Sequence, residues 1–143
     1  MEKILISACL VGEKVSYNGK SNYSPKIQEL LKKYELIPFC PEVEGGLSIP
    51  RSPCEIYKDK VISKEGNNFT NEYFYGARKA LNICNYLGIK IAILKDRSPS
   101  CGSKVIHDGS FTTKVIPGMG ITAKMLKEKG IKVLSEEDID TLL

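Results

Sequence analysis

Three short apolar runs, KILIS, ELIPF and IKIAILK, are each followed within a few residues by a cysteine, and each of these cysteines, Cys9, Cys40 and Cys101, stands among Gly, Pro or Ser. Runs of this length, rich in Ile and Leu and bounded by turn formers, are read as buried strands. Helical patterns lie between them, and such a β/α alternation folds as an α/β domain with a mostly parallel sheet. In an open sheet of that kind, residues just past the carboxyl ends of the strands gather along one edge, however far apart they are in sequence. Three thiols are therefore predicted to meet at the C-terminal strand edge. Thiolates from scattered loops suit an iron–sulfur cluster or a catalytic metal with an open coordination position; a disulfide would consume them in pairs.

Size and cysteine usage agree with that reading. A chain of 143 residues, 42% hydrophobic, can bury one core, and residues 1–143 are expected to form a single domain. The apolar stretch near the N-terminus is too short for a membrane span and lacks the pattern of a secretory signal, so a cytoplasmic location is expected. There the five cysteines stay reduced, which favours ligand or redox chemistry over a disulfide framework. The net charge of +4 is mild and the lysines are spread along the chain, so nucleic acid is not indicated as a partner.

Between the cysteine-bearing runs, the spacing predicts a helix over 25–34, capped by Ser24, with Pro25 at its first position and Ile27, Leu30, Leu31 and Tyr34 on one face. The segment 41–57 is dense in Pro and Gly and reads as a long functional loop. KDKVIS and the EGNN turn make a small hairpin. Thr70 is then expected to cap a helix that ends at Gly88. Beyond RSPSCGS, the segments KVIHDG and SFTTKVIP are short strands or loop, ITAKMLKEKG a helix, IKVLS a last strand and EEDIDTLL a closing helix.

Two segments carry the chemistry. In KDRSPSCGS, Pro99 and Gly102 shape a tight turn whose N–H groups, with the Ser98, Ser100 and Ser103 hydroxyls, can donate to a cluster sulfide or an anion. In FCPEVEGGLSIPRSPC, Glu42 lies two residues from Cys40, placed to carry protons or orient water, with Glu44 as a competitor. Arg51 either binds an anionic substrate group or pins the loop through a carboxylate. Cys84 falls on a helical apolar face and reads as core, whereas Cys54 shares the long loop with Cys40 and is a candidate fourth ligand. His107, the only histidine, stands in a turn-like segment and reads as structural. Tyr17, Tyr73, Phe74 and Phe111 are the aromatics available to stack on a planar ring, and the sequence does not choose among them.

SACLVG, CPEVEGGLSIPR, GNNFT with FYGAR, LKDRSPSCG and the HDGSF segment with its following GMGITA together resemble, over essentially the whole chain, the small bacterial and archaeal family that includes the thiouracil desulfidases. The resemblance implies a Rossmann-like three-layer domain in which Cys9, Cys40 and Cys101 hold a [4Fe-4S] cluster whose fourth iron has no protein ligand. It implies a non-redox hydrolysis of the C–S bond of a small thiolated heterocycle such as thiouracil, with sulfur passing to the open iron and leaving as sulfide. Glu42 and a serine of the SPSC turn, Ser98 or Ser100, are implied as the acid/base pair. The chain departs from the family pattern at Asn18, Asn67 and Asn68, where carboxylates are frequent. Two rival readings are a cysteine-bound structural zinc or cluster domain without catalysis, with Cys54 as fourth zinc ligand, and desulfuration of thiolated tRNA.

Overall fold

The computed structural model describes residues 1–143. In chain order the elements are β1 (Glu2–Ser7), a 3-10 turn at Ala8–Val11, α1 (Ile27–Leu30), β2 (Tyr34–Phe39), α2 (Pro41–Glu44), β3 (Cys54–Tyr57), β4 (Lys60–Ser63), α3 (Thr70–Leu87), β5 (Ile91–Leu94), β6 (Val105–His107), β7 (Val115–Pro117), α4 (Ile121–Glu128), β8 (Lys132–Ser135) and a closing 3-10 helix at Glu136–Leu142. Four strands make the central sheet in the order β2-β1-β5-β8, and every pair in it is parallel. The chain leaves β1 toward one side to form β2 and later crosses to the other side to form β5. The gap beyond the carboxyl ends of β1 and β5 is thus a topological switch point, the usual place for a ligand in an open parallel sheet.

Burial on both faces explains why the two central strands, β1 and β5, read as continuous apolar runs. Along β1, Ile4 and Ile6 face a core shared with Ile27 and Leu30 of α1 and Ile139 of the closing 3-10 helix. Leu5 faces the other way, into a core shared with Ala80 and Cys84 of α3 and Ala123 and Leu126 of α4. The result is the three-layer α/β arrangement expected from the sequence. Two antiparallel hairpins, β3–β4 and β6–β7, stand outside the sheet on the side of its carboxyl ends.

Several local expectations are corrected. The helix predicted over 25–34 shrinks to the single turn α1, because Tyr34 is taken into β2, opposite Glu2, as the first of six paired rungs. A short isolated helix is marginal in water, and the strand ladder outcompetes its last turn. Leu31 is left exposed. Thr70 opens α3 but does not cap it: its hydroxyl accepts from the Val61 N–H at 2.9 Å and donates to Asn68 Oδ1 at 2.6 Å, tying the helix start to β4. The first hairpin turns at Lys58 and Asp59, both at positive φ, and its second strand reaches Asn68 across the EGNN turn. The closing helix is 3-10, with Ser135 and Asp138 forming a reciprocal cap at its start. Gly88 ends α3 in the left-handed conformation, as the sequence predicts.

Candidate active site

Each of the three strand-end cysteines is held by a short device at the end of its strand. Cys9 sits in the 3-10 turn that follows β1, its carbonyl accepting from the Gly12 and Asn22 N–H groups. Cys40 precedes α2, where Pro41 stops further sheet pairing and starts a single helical turn. Cys101 lies in the turn after β5, which is organised by the buried carboxylate of Asp96. Asp96 Oδ1 accepts from the backbone N–H groups of Arg97, Ser103 and Lys104 at 3.0 to 3.3 Å.

All three cysteines line one cavity of about 450 Å³ at the switch point. Burial pushes the Cys101 thiol strongly up, a hydrogen bond from Ser7 opposes it, and the neighbouring Cys40, Glu42 and Cys9 raise it further. Burial raises the Cys9 thiol as well, against the opposing effects of Asn22 and Lys95, and it raises Cys40 against the Val43 N–H and Arg51. Burial thus raises all three thiols, while Lys95 beside Cys9 and Arg51 beside Cys40 act in the opposite direction.

No three side chains among His, Cys, Asp and Glu approach closely enough to share one metal ion. The three strand-end residues facing the cavity nonetheless offer an all-thiol donor set, the ligand type that holds iron–sulfur clusters. Cys54 also lines the cavity, from the start of β3, with its thiol directed to the Ser52 carbonyl at 3.8 Å and to Tyr73. Cys84 is core, its thiol pushed up to about 11 by burial.

Glu42 is anchored in the cavity through both of its carboxylate oxygens. Its Oε1 accepts from Arg51 Nε at 3.1 Å and from the Tyr73 hydroxyl at 3.0 Å. Its Oε2 accepts from Ser98 Oγ at 3.2 Å. The Ser98 oxygen in turn accepts from the backbone N–H groups of Ser100 and Cys101, both at 3.0 Å. Arg51 is pinned by the Ser48 and Val15 carbonyls, so the second of its two sequence readings, the one through a carboxylate, describes its contacts. The two serines of the turn are separated just as sharply. Ser98 faces the cavity; Ser100 is fully buried, with its hydroxyl on Thr122 Oγ1 at 2.9 Å, outside the cavity lining. Glu44 is exposed and outside the lining.

Sequence reasoning missed Tyr73 as a partner of Glu42, because on α3 it shows only the apolar spacing of a core residue. It also read His107 as structural, whereas His107 lines the cavity from β6 with its Nδ1 buried and without a partner. Asn18 lines the cavity, while Asn67 and Asn68 stand at the approach to α3, outside it.

Comparison with known proteins agrees with this geometry. A family model described as 2-thiouracil desulfurase matches residues 4–138. The uncharacterized protein YbbK of Bacillus subtilis (strain 168) is 38% identical over 150 residues, a match covering 98% of this chain and 99% of YbbK. A solved structure of the [4Fe-4S]-dependent thiouracil desulfidase TudS superimposes with a TM-score of 0.94 at 41% identity, covering 99% of this chain and 95% of TudS. No helix of the protein is long and apolar enough to cross a membrane. With the family model matching residues 4–138 and the superposition covering 99% of its length, the chain belongs to the 2-thiouracil desulfurase family.

Proposed function

We propose that this chain, working as one domain in the reducing cytoplasm, hydrolyses the C–S bond of a small thiolated heterocycle of the thiouracil type without net electron transfer. Cys9, Cys40 and Cys101 would hold a [4Fe-4S] cluster, leaving one iron without a protein ligand. When bound, such a cluster supplies a thiophilic Lewis acid that accepts sulfur and makes the thiocarbonyl carbon more electrophilic.

The single observation that carries this reading is the Glu42–Ser98 hydrogen bond in the cavity shared by the three thiols. Glu42 Oε1 is saturated by Arg51 and Tyr73, so Oε2 is the oxygen free to exchange a proton, and the hydroxyl aimed at it belongs to Ser98. As water attacks the carbon, Glu42 Oε2, which accepts only the one bond from Ser98, takes up the water's proton, and the Ser98 hydroxyl holds that oxygen toward the cavity. The two backbone N–H groups on Oγ fix that hydroxyl in its orientation toward Glu42. The proton then held by Glu42 is available to the ring or to the departing sulfide, so that water and thiocarbonyl become carbonyl and hydrogen sulfide.

The test is a pair of substitutions on anaerobically prepared, cluster-loaded protein. Glu42→Gln and Ser98→Ala should each keep the iron and sulfide content while slowing sulfide release from thiouracil by about 100-fold, the usual scale for a positioned proton-transfer group. Ser100→Ala should leave the rate within a few-fold of the parent. Unchanged turnover in Glu42→Gln would remove the carboxylate from the reaction.

A further inference from the structure

The Glu42–Ser98 pair accounts for the proton, but not for how the ring of the substrate is held flat and still beside it. Of the four aromatics that could stack on a ring, Tyr73 is buried with its hydroxyl on Glu42, and Phe74 lies outside the cavity lining. Tyr17 and Phe111 remain, both lining the cavity.

The backbone singles out Phe111. In the loop between β6 and β7, Phe111 has φ 59° and Thr113 φ 67°, both in the left-handed region that side-chain-bearing residues rarely occupy, and both residues line the cavity. Strain of this kind persists only where surrounding contacts over-determine it. The contact that does so here comes from the other hairpin. Glu55 on β3 is buried, and its Oε1 accepts from the Gly109 N–H at 2.9 Å and the Phe111 N–H at 3.1 Å. Its recorded partners are backbone amides rather than a cation, the kind of charge-assisted bond that offsets the cost of burying a carboxylate. Gly109, at φ 92°, lets the loop close on β3, since a Cβ there would meet the Ile56 carbonyl at 2.9 Å. A buried charge thus fixes the loop at the residue that turns an aromatic ring toward the cavity.

We propose that Phe111 is the stacking platform for the substrate ring and that Glu55 is its positioning residue, so that this pair directs the enzyme to planar thiocarbonyl heterocycles in preference to acyclic thioamides. The proposal rests on the desulfidase reading above. It also separates two tasks within the cavity: Glu42 and Ser98 handle the proton, while the Glu55-fixed loop handles the ring.

The experiment measures kcat and KM for thiouracil on the cluster-loaded protein, and the dissociation constant of uracil, which lacks the sulfur, by calorimetry. Phe111→Ala should weaken uracil binding and raise KM by about tenfold, the scale of one lost base–aromatic stack, with kcat within about twofold and iron content unchanged. Phe111→Tyr should behave as the parent. Glu55→Ala should reproduce Phe111→Ala, and Glu55→Gln, whose amide oxygen still accepts both N–H groups, should restore parental values. A merely structural Glu55 would lower thermal stability without moving KM against kcat. If Phe111→Ala binds uracil and turns over thiouracil as the parent does, the platform is overturned and the desulfidase reading stands. If Glu55→Ala matches the parent while Phe111→Ala is impaired, the positioning role is overturned. A parent protein that carries its full cluster but neither binds uracil nor releases sulfide would overturn the desulfidase reading and this proposal together.

Discussion

Replacing Gly76 by Ala opposes two effects of different size, and the outcome reports how tightly the site is built. Gly76 lies on the buried face of α3, where Ala would ordinarily stabilise a helix interior by about 1 kcal/mol. Yet a Cβ at Gly76 would stand 1.8 Å from the Pro41 carbonyl oxygen and 2.7 Å from its carbon, and a Cβ at Gly45 would stand 2.2 Å from the Glu72 carbonyl oxygen. α2 and α3 therefore pack backbone on backbone, with two glycines making the contact. Restoring an ordinary contact requires Pro41 to retreat by roughly 1.5 Å, judged against usual non-bonded separations. Pro41 stands between Cys40 and Glu42, so that retreat would break hydrogen bonds of 3.0 to 3.2 Å to Tyr73, Arg51 and Ser98. Overpacking of this kind costs about 1–3 kcal/mol, and a misplacement near 1 Å costs on the order of 100-fold in rate. Overlap should win over propensity. Urea denaturation should show Gly76→Ala destabilised by about 1–3 kcal/mol, whereas Asn85→Ala, exposed on the same helix, should be neutral or slightly stabilised. Sulfide release by cluster-loaded Gly76→Ala should fall by about two orders of magnitude. A Gly76→Ala protein as stable and as active as the parent would refute the claim that this contact positions Cys40 and Glu42.

Single replacement of Cys9, Cys40 or Cys101 by Ser should cost cluster occupancy, read as iron and acid-labile sulfide per chain, whereas Cys54→Ser and Cys84→Ser should keep it; full occupancy after loss of any of the first three removes that residue from the ligand set. Cys84, with its thiol pushed up to about 11 and its side chain in the core, should resist alkylation at pH 8 in the native protein and react promptly once urea unfolds it. Asp138→Ala should lower stability at pH 7 by about 1 kcal/mol through loss of the cap shared with Ser135. The Asp138 carboxyl is held below its usual range by Lys104 and the Ser135 N–H, so this contribution is present above the unfolded value near pH 4 and disappears as pH falls through the lower folded value; denaturation midpoints of parent and variant should converge there.

The parts of the fold legible in the sequence were those set by topology. KILIS and IKIAILK bury both faces and so announce parallel strands, ELIPF adds an edge strand beside the first, and the carboxyl ends of such strands meet whatever lies between them, which is why the spacing alone predicts that Cys9, Cys40 and Cys101 come together. Choices settled by a single tertiary contact were not legible. Ser98 and Ser100 are two residues apart in one turn with the same chemistry. They diverge only because the turn places one hydroxyl on Glu42 and the other on Thr122 of α4. Tyr34 belongs to the apolar face of a helix by spacing and to β2 by pairing. Glu55, and the pairing of Tyr73 with Glu42 as opposed to its candidacy as a stacking aromatic, are invisible for a related reason: each acts across a contact between elements that no local pattern joins.

The site divides into two halves with different requirements. Glu42, Ser98, Arg51 and Tyr73 are already joined by hydrogen bonds made of protein atoms alone, so the half proposed to handle the proton is built by folding. Burial raises the three cysteine thiols, and on the proposed reading they become ligands only by giving up their protons to a metal centre. Damage to the two halves should consequently separate in experiment. Loss of a cysteine empties the cavity of iron while leaving the Glu42 contacts intact, whereas loss of Glu42 or Ser98 leaves a loaded cavity that turns over slowly. That separation is hard to obtain from a structural metal domain, in which no carboxylate should matter to anything except stability.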